Sequence, residues 1–347
     1  MAEPHSEPLA AFGEWVARGL LEVSHDLADL DTTGRWAVAI SFEGEVTLAR
    51  FAHWSDGHPD VPDELVGTWT PPSIDSWRSS MDEKTYVSSI GAIRERIALG
   101  DVYQANLCRT LRAPLDPASD IAALYTRLVR HNPAPHAGLL RLPEEGVHIA
   151  SASPELFLSR SADVLTSSPI KGTGVTRADL LPKDQAENVM IVDLVRNDLG
   201  RVCEPGSVTV PVLLAVEEHP GLVHLVSTIR GRLRGQVTWP DILDATFPPG
   251  SVTGAPKLSA LDIIESLEAG PRGPYCGAFG WVEADTGEAE LAVAIRTFWI
   301  EGSPDGPQLA FGTGAGITWS SDPAAEWRET ELKSARLLRV ACDQEVP

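Results

Sequence analysis

Two short segments carry side chains that together could make and break a covalent bond. One reads S-P-E-L-F and holds Glu155; the other reads P-I-K-G-T and holds Lys171. Between them the chain reads as two short strands joined by a polar hairpin turn, which sets an acid and an amine at equivalent ends of neighbouring strands. Lys171 stands among small or apolar residues. An amine held there is poorly solvated, so its pKa falls toward the range of a nucleophile. A lysine in a surface turn has the same local sequence, and the spacing alone does not separate the two readings.

Further chemistry lies on predicted helices and strands. A helix from Lys183 to Asp198 carries Asp184 and Glu187 three apart on one face, with Asp193, Arg196 and Asn197 on another. Its run Val189, Met190, Ile191, Val192, Leu194, Val195 predicts burial over most of its circumference. Charges there must pair or bind something, and internal ion pairs suffice for the second trio. Near the C-terminus a helix capped by Ser321 or Asp322, with Pro323 first, lines up Glu326, Glu329 and Lys333. Exposed helices carry such charges for solubility alone. A strand over residues 291–300 places Arg296 in an apolar context, where a guanidinium needs a carboxylate from protein or ligand. A strand over residues 222–233 carries His224, which reads by itself as a satisfied core group. The run from Gly250 to Lys257 lacks the glycine and lysine spacing of a phosphate loop. What it retains is a glycine-rich turn before a helix opened by Pro256, a place for a carboxylate.

The elements that must hold these groups fit one elaborate domain or two intimate ones in 347 residues. Residues 1–75 read as a helix from Leu9 to Val23, a strand pair at Trp36–Phe42 and Val46–Phe51, and a proline-rich stretch; residues 76–347 carry all the chemistry. Helices are expected from Asp82 to Leu99 and from Ile121 to His131. Between them a strand alternates Gln104, Asn106 and Cys108 onto one face, which suits a polar ligand or a solvated sheet edge equally. With 28 basic against 49 acidic residues the formal charge is −21, which disfavours nucleic acid and anionic membrane as partners. An anionic substrate then needs a local cationic cluster or a metal. No apolar run is long enough for a membrane span, the start lacks the pattern of an export signal, and Cys108, Cys203, Cys276 and Cys342 form no metal or disulfide spacing. A cytoplasmic chain with reduced thiols is expected.

The order of the blocks S-P-E-L-F, P-I-K-G-T, K-D-Q-A-E-N-V-M-I-V-D-L-V-R-N-D-L-G-R, H-L-V-S-T, G-S-V-T-G-A-P-K, R-G-P-Y-C-G-A-F-G, A-I-R-T and G-A-G-I-T-W-S-S-D-P-A-A-E-W-R-E-T-E-L-K resembles the chorismate-utilising enzymes. That family includes anthranilate synthase component I, aminodeoxychorismate synthase component I, isochorismate synthase and salicylate synthase. The resemblance runs from about residue 80 to the end. It implies an α+β fold, anthranilate synthase component I-like, with two packed antiparallel sheets flanked by helices (αββα).

By the same resemblance, Lys171 is the nucleophile, Glu155 the general acid and base, and His224 the histidine near the departing hydroxyl. Glu187 and Glu329 hold Mg²⁺ against the substrate carboxylate, with Asp184 and Glu326 behind water. Arg296, Tyr275, Lys333, Thr253, Gly254 and the backbone of Gly312, Gly314 and Gly316 contact the substrate. Gln104 stands where the water-using members carry a lysine, which disfavours water as nucleophile. P-I-K-G-T is the pattern of aminodeoxychorismate synthases, whereas anthranilate synthases usually read P-I-A-G-T. The resemblance therefore implies conversion of chorismate and ammonia to 4-amino-4-deoxychorismate for 4-aminobenzoate and folate supply. Anthranilate synthase component I is the alternative, and a non-catalytic chorismate-binding subunit the second. No nucleophile-elbow cysteine is present, so ammonia is expected from a separate glutamine amidotransferase subunit. The N-terminal region is about a hundred residues shorter than is usual for these components, and Leu20-Leu21-Glu22 faintly echoes a motif of the tryptophan pocket of feedback-inhibited members, three residues that do not carry a claim of regulation.

Overall fold

Among the described residues six α-helices follow from local signals. They are α1 (Glu83–Ala98), α2 (Ile121–His131), α3 (Pro182–Gly200), α4 (Trp239–Thr246), α5 (Lys257–Leu267) and α6 (Pro323–Ala341). The computed structural model describes residues 7–56, 61–174, 176–180, 182–219 and 222–344. Asp82, Asp120 and Asp322 cap α1, α2 and α6 by accepting from the backbone N–H of Thr85, Ala122 and Ala325. Each cap satisfies a donor that the first turn leaves without an intrahelical partner.

The strands form one antiparallel path. It starts at Gln104–Pro114 and runs through Gly306–Ile317, Thr297–Ser303, Val147–Ser153 and His136–Leu142 to Leu9–Phe12. It turns at Trp15–Ser24 and Val46–Asp56, then continues through Arg35–Ile40, Ala278–Glu283, Glu288–Val293, Leu156–Ser161 and Val164–Ser168. Leu222–Arg232 and Thr209–His219 finish it. The path folds back on itself, so residues of both halves share one core. Leu140, Ile149 and Trp299 meet Trp36, Val38, Phe279 and Leu291, and the rings of Phe12 and Phe279 lie 5.0 Å apart edge to face. Period-two alternation decides which side each residue serves. Leu140 enters this shared core, whereas its neighbour Leu139 packs outward with Leu124, Leu128 and Leu337 of α2 and α6. Ile191, Val195 and Leu199 of α3 and Trp239 and Ile242 of α4 pack against the other half. α1 and α5 close one end through Tyr86, Ile90, Ala260 and Ile263 against Ala105, Leu107 and Ile317. The layering is helix, sheet, sheet, helix, which is the fold class the sequence implied.

Three local expectations are corrected. Residues 9–23 form not a helix but a hairpin, Leu9–Phe12 against Trp15–Ser24, because His136–Leu142 and Val46–Asp56 supply the backbone partners on either side. The strand expected over residues 291–300 breaks after Val293 and resumes at Thr297. α3 is buried along one face only: Val189 is 46% exposed, and Asp193 pairs with Arg196 at 2.8 Å on the solvent side. Its apolar run is wider than the stripe that the sheet covers.

The strands ahead of residue 57 are therefore part of the shared core. Phe12→Ala removes a ring from the centre of the sandwich and is expected to cost about 3–5 kcal/mol. Denaturant unfolding measures it, and a loss below about 1 kcal/mol would mean that the two halves do not pack through this residue.

Candidate active site

The chain places its reactive amine with a bulge. In the strand Ile170–Gly174, Lys171 lies opposite Leu225 and Thr173 opposite His224, which leaves Gly172 as an extra residue at φ +80°. Such an insertion bends the strand and re-aims the neighbouring side chain. Lys171 is thus a buried strand residue rather than a surface turn lysine. Glu155 occupies the break between Val147–Ser153 and Leu156–Ser161, where its N–H donates to Ser153 Oγ at 3.2 Å and its carbonyl accepts from Val293 at 3.0 Å.

Both groups line a cavity of about 240 Å³ at one end of the sandwich. Asp184 and Glu187 reach it from α3, and Glu326, Glu329 and Lys333 from α6. His224 comes from the strand Leu222–Arg232, and Arg296 from the strand break described above. Tyr275, Gly312, Gly314 and Gly316 complete the wall. The three glycines alternate along one strand and so share a face. A Cβ on Gly316 would lie 2.5 Å from Gln104 Nε2 and 3.2 Å from Lys171 Nζ, and one on Gly312 would lie 2.0 Å from the Tyr275 ring. Any larger residue there would fill the cradle. The Glu326, Glu329, Lys333 face of α6 is accordingly turned inward, with Glu326 3% exposed.

Asn188, beside Glu187 on α3, locks the helix to the sheet. Its amide donates to Leu225 O at 3.1 Å and its oxygen accepts from Ser227 Oγ at 2.5 Å. Asn188 was not anticipated, nor were Lys183 and Ser251 in the cavity wall. Lys183 stands next to Asp184 in K-D-Q-A-E, and Ser251 opens the G-S-V-T-G run, so neighbours of the named motif residues were the available signal. Thr253 and Gly254 are displaced from the wall expected of them. The Thr253 hydroxyl donates to Pro249 O at 3.0 Å, Gly254 pairs with Ala105, and Ser251 and Val252 face the cavity instead. Gln104 lies behind Gly316, fully buried, and neither amide atom has a hydrogen-bond partner.

Electrostatics follow from burial. Desolvation pulls the Lys171 ammonium down; Lys333 adds to that, while Glu187, Glu155 and Glu329 oppose it. Desolvation raises Glu155 to about 7 against the Ser251 hydrogen bond and the Lys171 charge. Glu187 also rises to about 7, through burial with a contribution from Glu326. Burial pushes Glu329 up, but the Lys333 ammonium at 2.6 Å outweighs it and holds the carboxyl below its ordinary value. Burial alone brings Arg296 to about 10. Its guanidinium donates to His224 Nε2 at 2.9 Å, so that nitrogen accepts and the imidazole is neutral. Arg296 sits at φ +53°, a strained backbone for a side chain of its size.

Glu187, Glu329, Asp184 and Glu326 offer the hard oxygens that suit Mg²⁺, and mutual repulsion already raises Glu187. Lys183 lies 3.7 Å from Glu326, and Lys333 partners Glu329. Among the described residues no three metal-ligating side chains converge on one point. An ion here would be held by one or two of these carboxylates together with a ligand and water.

The cavity gathers the cations Lys171, Lys183, Lys333 and Arg296 among carboxylates at one end of an αββα sandwich. The same fold is found in the anthranilate synthase component I of Streptococcus pneumoniae (TM-score 0.76, 23% identity, covering 95% of this chain and 90% of that one). It is found too in the menaquinone-specific isochorismate synthase of Escherichia coli (TM-score 0.78, 19% identity, 97% and 89%). Residues 17–339 match the chorismate binding enzyme family, and the chain belongs to it. It is 40% identical over 276 residues to an aminodeoxychorismate synthase component 1 from Klebsiella aerogenes, covering 76% of this chain and 59% of that protein. It is equally 40% identical over 274 residues to an anthranilate synthase component 1 from Streptomyces coelicolor, covering 76% and 52%. The chain thus spans little more than half the length of these two relatives.

The raised pKa of Glu155 has a sign that can be tested. The folded state holds the proton up to about pH 7, so stability is lost as pH rises from the ordinary carboxyl range through 7. Glu155→Gln keeps the neutral shape and is expected to be more stable than wild type at pH 8 by about 1–3 kcal/mol, with the gap closing toward pH 5. Unfolding midpoints at the two pH values decide it, and a variant no more stable at pH 8 would contradict the burial penalty.

Proposed function

We propose that the chain acts as an aminodeoxychorismate synthase component I, converting chorismate and ammonia to 4-amino-4-deoxychorismate. The observation that carries this reading is the Lys171 amine: buried, aimed into the cavity, and held below its ordinary pKa beside Glu155 and Glu187.

The substrate presents two carboxylates, and Arg296 and Lys333 are the cations that meet them. Arg296 is displaced by burial alone, and a ligand carboxylate would answer its buried charge. Deprotonated Lys171 attacks C2. The C2–Nζ bond forms, the ring double bond shifts, and the C4–O bond breaks as Glu155 delivers its proton to the leaving oxygen. Lys171 sheds a proton, and water departs. A carboxyl titrating at about 7 is half protonated at neutral pH, as this step requires. Ammonia then forms the C4–N bond while the shift reverses and Nζ leaves C2, regaining a proton. His224, neutral and held by Arg296, lines the site as a hydrogen-bonding group. Mg²⁺ between Glu187 and Glu329 would neutralise the carboxylates facing the substrate. Gln104 beside Lys171 has no charge with which to activate water. Supply of 4-aminobenzoate for folate, ammonia from a separate glutamine amidotransferase subunit, and action in the cytoplasm belong to the same reading. No helix among the described residues is long and apolar enough to cross a membrane.

Incubation with chorismate, Mg²⁺ and ammonium salt is expected to yield a product with the mass of 4-amino-4-deoxychorismate. A fluorescent product lacking the enolpyruvyl group would instead make the chain an anthranilate synthase, and no loss of chorismate would favour a binding subunit. Lys171→Ala is expected to retain the fold and to lose amination by about a thousandfold or more. An unchanged rate would remove the covalent step.

A further inference from the structure

Among the described residues none ahead of Asn106 lines the cavity, yet the hairpin tip between Arg35–Ile40 and Val46–Asp56 grips its wall. One exposed acid makes the main contact. Glu43 sits at that tip, and its two carboxylate oxygens accept from the backbone N–H of Arg272 at 2.7 Å and of Gly273 at 3.1 Å. Phe42 adds to the grip. Its N–H donates to Gly273 O at 2.8 Å, and its ring centre lies 4.2 Å from the Arg272 guanidinium. At the far end of the segment a Cβ on Gly277 would lie 1.9 Å from Ile40 O, so residues 40–43 hold residues 272–277 at both ends. The tip is closed by its own bonds, Ser41 N–H to Glu45 O and Gly44 N–H to Ser41 O, both at 2.9 Å.

The gripped segment carries Tyr275 to the cavity. Gly277 N–H donates to Pro274 O at 3.0 Å, which closes a turn with Tyr275 at its first central position and Cys276, at φ +67°, at its second. A side chain larger than glycine keeps that conformation only where its surroundings hold it. Tyr275 is buried, and its ring fills the space over Gly312 in the cavity wall. The Arg272 side chain reaches two more wall residues. Its guanidinium donates to Asn106 O and Val252 O at 2.8 Å each, and Glu268 balances its charge at 2.6 and 2.9 Å. Glu43 therefore fixes the main chain of a residue that joins Tyr275 to Asn106 and Val252. Because its carboxylate is exposed, water can replace it on the two donors, so what it supplies is position more than stability.

We infer that Glu43 is a positioning residue for the substrate site: through the backbone of Arg272 and Gly273 it holds Tyr275 where the phenol hydroxyl meets bound chorismate. The inference rests on the functional reading above and deepens it, by giving the strands ahead of residue 57 a part in substrate binding.

Steady-state loss of chorismate with ammonium salt and Mg²⁺, on the full chain, tests it. Glu43→Ala is expected to raise KM for chorismate about fivefold, with kcat and the KM for ammonium within about twofold, because binding common to ground and transition states is lost. Glu43→Gln keeps one acceptor oxygen and is expected to fall between wild type and Glu43→Ala. In a Tyr275→Phe background Glu43→Ala is expected to change KM by less than about twofold, since residues that act through one another are not additive. A folded Glu43→Ala chain with wild-type KM overturns the inference. So does an effect as large in Tyr275→Phe as in wild type. A joint fall of kcat and unfolding midpoint, with Glu43→Gln no better than Glu43→Ala, makes the contact structural only and also overturns it. Conversion of chorismate by wild type to a different product refutes the functional reading, while the same KM comparison still decides this inference. No loss of chorismate by wild type refutes both.

Discussion

Everything in the site depends on keeping one amine out of water without leaving its charge stranded. The Lys171 ammonium is disfavoured by burial and by Lys333, and is favoured by Glu187, Glu155 and Glu329. The balance of these effects leaves the ammonium less favoured than it is in water. Glu155 is displaced in the opposite sense, to about 7, by the same desolvation. The two groups are displaced toward each other, which is the sense that eases passing a proton between them.

The architecture serves that balance from several directions. A bulge at Gly172 turns Lys171 into the cavity, and the sheet half opposite contributes glycines at alternate positions so that the amine has room. α3 and α6 bring the carboxylates from the two flanking sides, and Asn188 with Ser227 fixes the register of α3 against the strand that bears His224. Lys333 and Arg296 stand among carboxylates in the cavity wall, so cations and acids face the same space despite a chain charge of −21. Net charge governs long-range approach, whereas binding is decided by the few groups that face the ligand.

Arg296 illustrates how the backbone shares in this. A single continuous strand would alternate its side chain with the sheet, but the break between Val293 and Thr297 and the positive φ turn it toward His224. Strain of this kind persists only where surrounding structure over-determines it. The contact also assigns the imidazole proton to Nδ1, since a guanidinium only donates.

The local signals in the chain were enough for much of this. Apolar periodicity marked α1 and α2 to within a residue or two, and Ser321 or Asp322 with Pro323 marked the start of α6, because a helix is stabilised by contacts a few residues apart. The pairing of Glu155 with Lys171, and the motif blocks that tie the chain to its family, were legible for the same reason. Residues 9–23 were misread because their apolar pattern fits either period, and strands from residues 46–56 and 136–142 decided the matter. Whether Glu326, Glu329 and Lys333 faced solvent or ligand, whether Thr253 reached the cavity, and where Gln104 stood could be decided only by which distant segment covered each one. Spacing along a chain fixes the neighbours within an element; desolvation, and with it every perturbed pKa here, comes from elements far apart in sequence.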